Sequence, residues 1–266
     1  MAYLRAARGF KSGGFNNQLA DPADPREFEY DDEEANTVEL GAKMTLLDGA
    51  ASLNMAAFYT EIEGSQESTF LDSGFIVQNA DVNSQGFEVE GRWIAAPFLN
   101  FVASVGYLDS EYDDFPGAPC TTVQLNSPDP VAAGCEDWTA ENPRAGRTNL
   151  KGMVAGRSPE WTATFITNVI FPIGDAMLFS GSLDLLYEDE LNEKLDPNYQ
   201  DSYTRINARL ALASSSDTWS VALIGKNLTD ELTYGNGAGV GFFTGSWFKN
   251  RTAPRTVALE LAYRFQ

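Results

Sequence analysis

The sequence predicts an all-β fold, namely a transmembrane antiparallel β-barrel with about ten strands among its 266 residues. Three observations predict it. Apolar and polar residues alternate in about ten segments, the connections between the segments alternate between short and long, and no apolar run is long enough for a membrane-spanning helix. A tilted strand of about 9–11 residues crosses a bilayer, and alternation gives it one apolar and one polar face.

The last segment shows the alternation most clearly. This segment is 255–265. After Arg255 its odd positions are apolar or aromatic, whereas its even positions include Glu260 and Arg264. Such a strand has one face suited to lipid and one suited to water. The other predicted strands are 1–10, 37–46, 52–60, 86–95, 99–108, 161–171, 177–187, 204–212 and 218–228.

Short and long connections between the predicted strands alternate along the chain. The short ones, rich in Gly, Pro, Asp and Ser, are typical of turns. Outer-membrane barrels have short periplasmic turns and long external loops, so the pattern also gives the orientation. Because an open sheet edge is unfavourable in lipid, the strands must close, either by themselves or as about half of a larger barrel. The predicted turns are 47–49, 96–98, 172–175 and 214–217, and the predicted external loops are 11–36, 61–84, 109–160, 188–203 and 229–254.

The charge excludes several functions. The net charge is −20, with 38 acidic and 18 basic residues, so nucleic acid is not expected as a partner. The acidic runs at 31–34, 109–114 and 188–190 fall on predicted external loops and are interpreted as solvated surface, with cation binding as the alternative. The chain contains no histidine, which removes catalysis based on Ser-His-Asp or Cys-His arrangements. We therefore predict no enzyme activity, no metal site and no cofactor.

Two cysteines, Cys120 and Cys135, lie in the longest predicted external loop. Their shared loop favours a disulfide in an oxidising compartment, with two free thiols as the alternative. Two cysteines without histidine make a poor zinc site.

Several short motifs occur in a fixed order along the chain. They include GFKSGGFN at 9–16, ELGAK at 39–43, GFEVE at 86–90 and SPEWT at 158–162. Together with a further motif, KNLTDE, and the closing strand, this series resembles the C-terminal barrel region of TonB-dependent outer-membrane receptors. The positions that carry the resemblance near the end of the chain are Asn227, Leu228, Asp230, Pro254, Arg255 and Phe265.

The resemblance implies an architecture and a function. Residues 1–266 would form the C-terminal portion of a 22-stranded barrel, whose N-terminal plug and earlier strands are absent from this sequence. The full-length receptor would lie in the bacterial outer membrane, in contact with its lipid. There it would bind an extracellular small molecule, such as a ferric siderophore, and import it with a TonB complex. The present chain alone is not expected to transport.

Aromatic residues on the predicted external loops are candidate ligand contacts, because their exposure is otherwise unfavourable. The alternative is that they pack the loops against one another. Two other functions stay open: a self-contained ten-stranded pore or structural barrel without energy coupling, and a soluble β-sandwich lectin. The candidates are Phe15, Tyr30, Phe70, Phe75, Trp138, Tyr199, Phe242, Phe243, Trp247 and Phe248.

Overall fold

A computed structural model describes residues 1–17, 28–71, 74–141, 146–156, 158–191, 200–240, 243 and 246–265. Ten strands form one antiparallel sheet in which each strand pairs with the next of the ten along the chain. These strands are β1 (Ala2–Lys11), β4 (Glu33–Leu46), β5 (Ala51–Leu71), β6 (Gly74–Ala96), β7 (Leu99–Asp114), β10 (Trp161–Ile173), β11 (Met177–Glu188), β12 (Tyr203–Ser214), β13 (Trp219–Lys226) and β16 (Thr256–Tyr263).

Three small ladders lie outside the main sheet. Helical structure is confined to one turn, α1 (Thr122–Leu125), and a 3-10 turn, Leu47–Gly49. Within the described ranges, no helix is long and apolar enough to cross a membrane. The small ladders pair β2 (Gly14–Phe15) with β3 (Glu29–Tyr30), β8 (Ala118–Pro119) with β9 (Arg147–Thr148), and β14 (Tyr234–Gly239) with β15 (Trp247–Arg251).

All ten predicted strands are confirmed, but two predicted loops are wrong in extent. The predicted loop 61–84 is mostly strand, because β5 and β6 continue through it as one long hairpin, and β7 continues to Asp114. The alternation fades there because protein rather than lipid covers both hairpin faces. A register shift after Ile62, beside the left-handed Gly64 (φ 67°), also interrupts the pattern.

The register sorts the side chains of the main sheet onto two faces. Leu259 lies opposite Leu223, which lies opposite Leu210, so these leucines form one row across three strands. Leu210 is 51% exposed and Leu259 is 65% exposed. Such a continuous exposed apolar band is unfavourable in water and is expected where a barrel meets hydrocarbon. Among the described residues no second sheet covers it, so the β-sandwich lectin is excluded.

Aromatic side chains lie at both ends of the apolar band. At the end with the long connections, the rings of Phe87, Tyr107 and Trp161 lie 4.9–5.8 Å apart. At the end with the short turns, Phe171 and Phe179 have ring centroids 5.0 Å apart. Two aromatic belts flanking an apolar band are typical of an outer-membrane barrel, and they mark the end with the long connections as external.

The sheet has two free edges. Strands β1 and β16 are the first and last in the strand order, and within the described residues they do not pair with each other. All eight residues of β16 are exposed. Because backbone groups must be paired in lipid, further strands must cover both edges. This argues against a self-contained ten-stranded barrel.

Candidate functional site

The β5–β6 hairpin rises beyond the outer aromatic belt and forms the middle of an external projection. Between Tyr59, near this belt, and Leu71, β5 extends roughly 40 Å at about 3.3 Å per residue. We call the outer part of this hairpin, with the segments that cover its two faces, the projection. The projection brings together loops that are distant in the sequence.

Amide side chains fasten the first external segment to one face of the hairpin. Asn16 is buried, donates to the carbonyl oxygen of Val77 (2.9 Å) and accepts from the amide of the same residue (2.8 Å). Asn79 accepts from the amide of Asp31 (2.7 Å), and Gln66 donates to the carbonyl oxygen of Asp31 (3.1 Å). These amides imitate the bonds of a strand ladder and hold the segment in a defined position.

A small hydrophobic core covers the opposite face of the hairpin. The side chain of Gln78 lies on this face and donates to the carbonyl oxygen of Gly117 (3.0 Å). In the described ranges, the majority of the buried apolar side chains belong to the projection, and few belong to the membrane-spanning part of the sheet. The projection is therefore a rigid, protein-packed body on a sheet that otherwise has one face for lipid and one for a hydrated interior. The buried members of this core are Ala80, Val82, Tyr112, Phe115, Ala118 and Ala155.

A disulfide closes the loop that supplies this core. Cys120 and Cys135 are bonded to each other, with their Cα atoms 5.5 Å apart. Gly146 lies against both sulfurs, so that a Cβ there would come within 2.5 Å of the Cys135 sulfur. Trp138 is half-buried beside Gly146, and its indole nitrogen is buried. Trp138 thus packs the loop rather than presenting a free ring.

Removal of this disulfide is expected to loosen the projection and leave the barrel intact. A Cys120→Ala/Cys135→Ala variant loses a cross-link that closes a loop of 15 residues, worth about 3 kcal/mol in the chain-entropy account. In the complete protein, limited proteolysis should cut the segment 115–156 faster, while heat-modifiable mobility on SDS gels is unchanged. Equal cleavage rates in wild type and variant would contradict the assignment.

The KNLTDE motif and the start of the closing strand form a buckle at the base of the last external loop. Asn227 is 3% exposed, and its side chain donates to the carbonyl oxygens of Glu231 (2.9 Å) and Ala253 (3.3 Å). It also accepts from the Glu231 amide (2.9 Å). Asp230 pairs with Arg255 at 3.1 Å. The buckle joins the two ends of the loop directly above the sheet.

Two further motif positions frame the buckle. Leu228 packs over Gly225, where a Cβ would come 2.7 Å from Leu228 Cδ2, and the Leu228 amide donates to the Ile206 carbonyl oxygen (2.8 Å). Pro254 follows the carbonyl that Asn227 binds. Phe265 lies at the other end of β16, 5.0 Å from Tyr263 between ring centroids, in the inner aromatic belt.

The hairpin β14–β15 fills the last external loop and connects to the polar face of the sheet. Phe243 and Phe248 are 67% and 46% exposed. The Lys249 ammonium lies 4.8 Å from the ring centroid of Tyr234. At the hairpin base, Thr233 accepts from Arg205, a polar-face residue of β12 (2.5 Å).

The polar face of the sheet is lined by hydrogen-bonded and charged side chains. Tyr3 donates to Glu39 (2.6 Å), and Arg209 pairs with Glu260 at 3.2 Å. Glu88 and Arg92 lie on the same face and are exposed. This is the composition of a hydrated barrel interior.

An acidic cavity of about 460 Å³ lies on the projection. Arg8 is paired with one of its carboxylates, Glu34, outside the membrane-spanning part of β4. Hydrogen bonds from Arg8 and Asn36 lower the pKa of Glu34. Among the described residues no group of three or more acidic or cysteine side chains is arranged to hold a metal ion. The carboxylates that line the cavity are those of Asp31, Asp32, Glu34, Glu63, Asp81 and Asp114.

The predicted ligand-contact residues do not form one site. The described members divide among the projection, the disulfide loop and the last external loop. Most lie in strands, not in loops as predicted, because the external segments form ladders of their own. Tyr199 and Phe242 lie outside the described residues, as do the side chains of Phe70 and Trp247. The strand members are Phe15 (β2), Tyr30 (β3), Phe70 (β5), Phe75 (β6), Trp247 and Phe248 (β15).

Sequence reasoning missed one aromatic residue of the projection. Phe28 is 48% exposed, and its ring centroid lies 5.5 Å from that of Phe15, which is 68% exposed. Its position one residue before Glu29 and Tyr30 in a predicted external loop was the available signal. Tyr30 instead packs across Gly14, where a Cβ would come 2.5 Å from its hydroxyl.

Comparisons with known proteins agree with this architecture. The family model described as "TonB dependent receptor-like, beta-barrel" matches residues 1–228. The metal-pseudopaline receptor CntO of Pseudomonas aeruginosa is 25% identical over 109 residues, which are 41% of this chain and 14% of CntO.

Solved structures show the same fold over nearly the whole chain. The ferric yersiniabactin uptake receptor FyuA of Yersinia pestis has a TM-score of 0.68 and 18% identity, covering 100% of this chain and 35% of FyuA. The ferric-catecholate import receptor Fiu of E. coli K12 has a TM-score of 0.61 and 18% identity, covering 97% of this chain and 32% of Fiu. The chain therefore spans about a third of the length of these receptors.

Proposed function

We propose a function from one premise: this chain belongs to the TonB-dependent receptor family of β-barrels in the outer membrane of Gram-negative bacteria. The complete protein imports a metal bound to a small organic chelator. The members of this family are transport receptors and not enzymes. The transported complex and the energy coupling are properties of the complete protein, of which this chain supplies ten strands.

The polar inner face of an open sheet is the observation that carries the proposal. The apolar face is suited to lipid, and the opposite face carries Arg209, Glu260, Glu88 and Arg92 toward an interior that further strands must enclose. A large hydrated interior fits passage of a polar solute. The ligands in the names of CntO, FyuA and Fiu suggest the solute class.

We assign the first ligand contacts to the last external loop. Phe243 and Phe248 are exposed there, and the base of the loop is bonded to Arg205 on the polar face. A ligand held by these rings therefore contacts a loop whose base is bonded to the polar face of the sheet. In the complete receptor, a TonB complex would supply the energy for import.

Uptake in the native host tests the proposal. Deletion of the gene for the complete receptor is expected to abolish high-affinity accumulation of ⁵⁵Fe or another radioactive metal supplied with one member of a siderophore panel. The intact gene should restore uptake, and a proton uncoupler should prevent it. Unchanged uptake of every metal complex in the panel would contradict the proposal, and restored uptake that persists with the uncoupler would favour a passive pore.

A further inference from the structure

The tip of the projection carries aromatic rings on the face that the first external segment covers. Phe15 is 68% exposed, Phe28 48% and Phe75 66%. Asn16 fastens the segment that carries Phe15 to Val77, two residues along β6 from Phe75. A group of neighbouring exposed aromatic rings indicates an interaction surface, whereas single exposed rings do not. We call these three residues the aromatic tip.

The charge beside the aromatic tip defines what can bind there. Phe75, Asn79 and Asp81 alternate along β6, and the latter two line the acidic cavity. Six carboxylates line the cavity, and Arg8 pairs with one of them, Glu34. A partner that covers the rings and the cavity must therefore combine apolar or aromatic groups with positive charge.

The dimensions favour a polypeptide over a small molecule. From Phe75 to Asp81, β6 extends roughly 20 Å at about 3.3 Å per residue. A single small chelate does not span this length, whereas an extended peptide segment of about six residues does. The tip also lies roughly 40 Å along β5 from Tyr59, which is near the outer aromatic belt.

We infer that the aromatic tip and the adjacent acidic cavity form a docking surface for a basic polypeptide of another protein, with Phe15, Phe28 and Phe75 as the apolar anchors. The surface is held in place before binding by the amides of Asn16 and Asn79, so little conformational entropy is lost on docking. The inference does not depend on which solute the receptor transports.

Peptide binding to the complete receptor in zwitterionic nanodiscs tests the inference. The probe is a short peptide of alternating lysine and tryptophan, and empty nanodiscs provide the reference. A Phe15→Ser/Phe28→Ser/Phe75→Ser variant is expected to weaken binding by about tenfold or more. An Asp32→Asn/Glu63→Gln variant should weaken binding at low salt and have less effect at high salt.

Matched variants and probes make the result decisive. Asp137→Asn/Glu141→Gln removes the same two residue types elsewhere on the external side, and Phe243→Ser/Phe248→Ser removes exposed rings of the last loop. Both should leave peptide affinity unchanged. Equal affinity of the aromatic-tip variant and wild type would overturn the inference, as would equal binding of a lysine–serine peptide, which shows charge attraction alone. Metal uptake by the wild-type receptor, measured separately, stays a test of the proposed function only.

Discussion

Leu183→Arg is expected to prevent stable insertion of the receptor, whereas Asp184→Arg is expected to be tolerated. Leu183 is 43% exposed on the apolar face of β11, about midway between Met177 and Tyr187 near the strand ends. Asp184 has the same depth and the opposite face, opposite Asn207. An arginine on the lipid face near the bilayer midplane costs about 2 to 4 kcal/mol, whereas one in the hydrated interior is far less costly.

Comparison of Leu183→Arg with Asp184→Arg distinguishes the effect of a charge on the lipid face from a general effect of substitution. Both variants place the same side chain on adjacent residues of the complete receptor, and Leu183→Ala controls for the loss of the leucine. Urea unfolding in phospholipid vesicles measures the stability, and heat-modifiable mobility measures the folded fraction. Equal stability of Leu183→Arg and Asp184→Arg would contradict the assigned faces of the whole sheet, because the register couples every strand to its neighbours.

Asn227→Ala is expected to release the last external loop and to reduce uptake strongly. The side chain makes three hydrogen bonds to main-chain groups of Glu231 and Ala253, and its backbone has a φ of 51°. Buried groups that lose their partner cost about 1–3 kcal/mol each, and alanine is disfavoured at positive φ. Faster proteolysis within 229–254 and slower metal uptake should therefore appear together.

Two variants distinguish the causes. Asn227→Gly removes the hydrogen bonds without the backbone strain, so it should fall between wild type and Asn227→Ala. Asn100→Ala removes an inner-face asparagine with one long bond to Asn168 (3.3 Å) and should behave as wild type. If Asn227→Ala is as resistant to proteolysis as Asn100→Ala, the buckle does not hold the loop.

The strands of the membrane-spanning part were predictable from the residues because lipid imposes a period of two on every strand. Segments such as 177–187 and 204–212 have the same physical environment on each face along their whole length, so their alternation is regular. The outer parts of β5 and β6 were missed for the opposite reason. There Gln66, Gln78 and Asn79 occupy strand positions, and neighbouring external segments supply hydrogen-bond partners for their side chains.

The candidate site was predictable only by residue type. Aromatics in external segments were recognisable from composition and position, but their grouping was not. Phe15 and Phe28 lie together because β2 pairs with β3 and the Asn16 amide donates to the Phe28 carbonyl oxygen (2.9 Å). The Asn16 side chain then attaches this pair to Val77, 61 residues away, and the local sequence pattern gives no signal of that contact. Trp138 and Tyr30 are aromatic like Phe15, yet neighbouring residues pack against their rings and leave them only partly exposed.

The residues by themselves determined which segments cross the membrane, which side chains face lipid, which end is external and to which family the chain belongs. These properties follow from local periodicity, turn chemistry and ordered motifs, each of which involves neighbours in the sequence. Tertiary structure alone decided that the sheet stays open at β1 and β16, that the external loops form a rigid projection, and that Asn227 and Arg255 belong to one buckle. Each of these depends on contacts between distant residues, for which a single sequence carries no local signal.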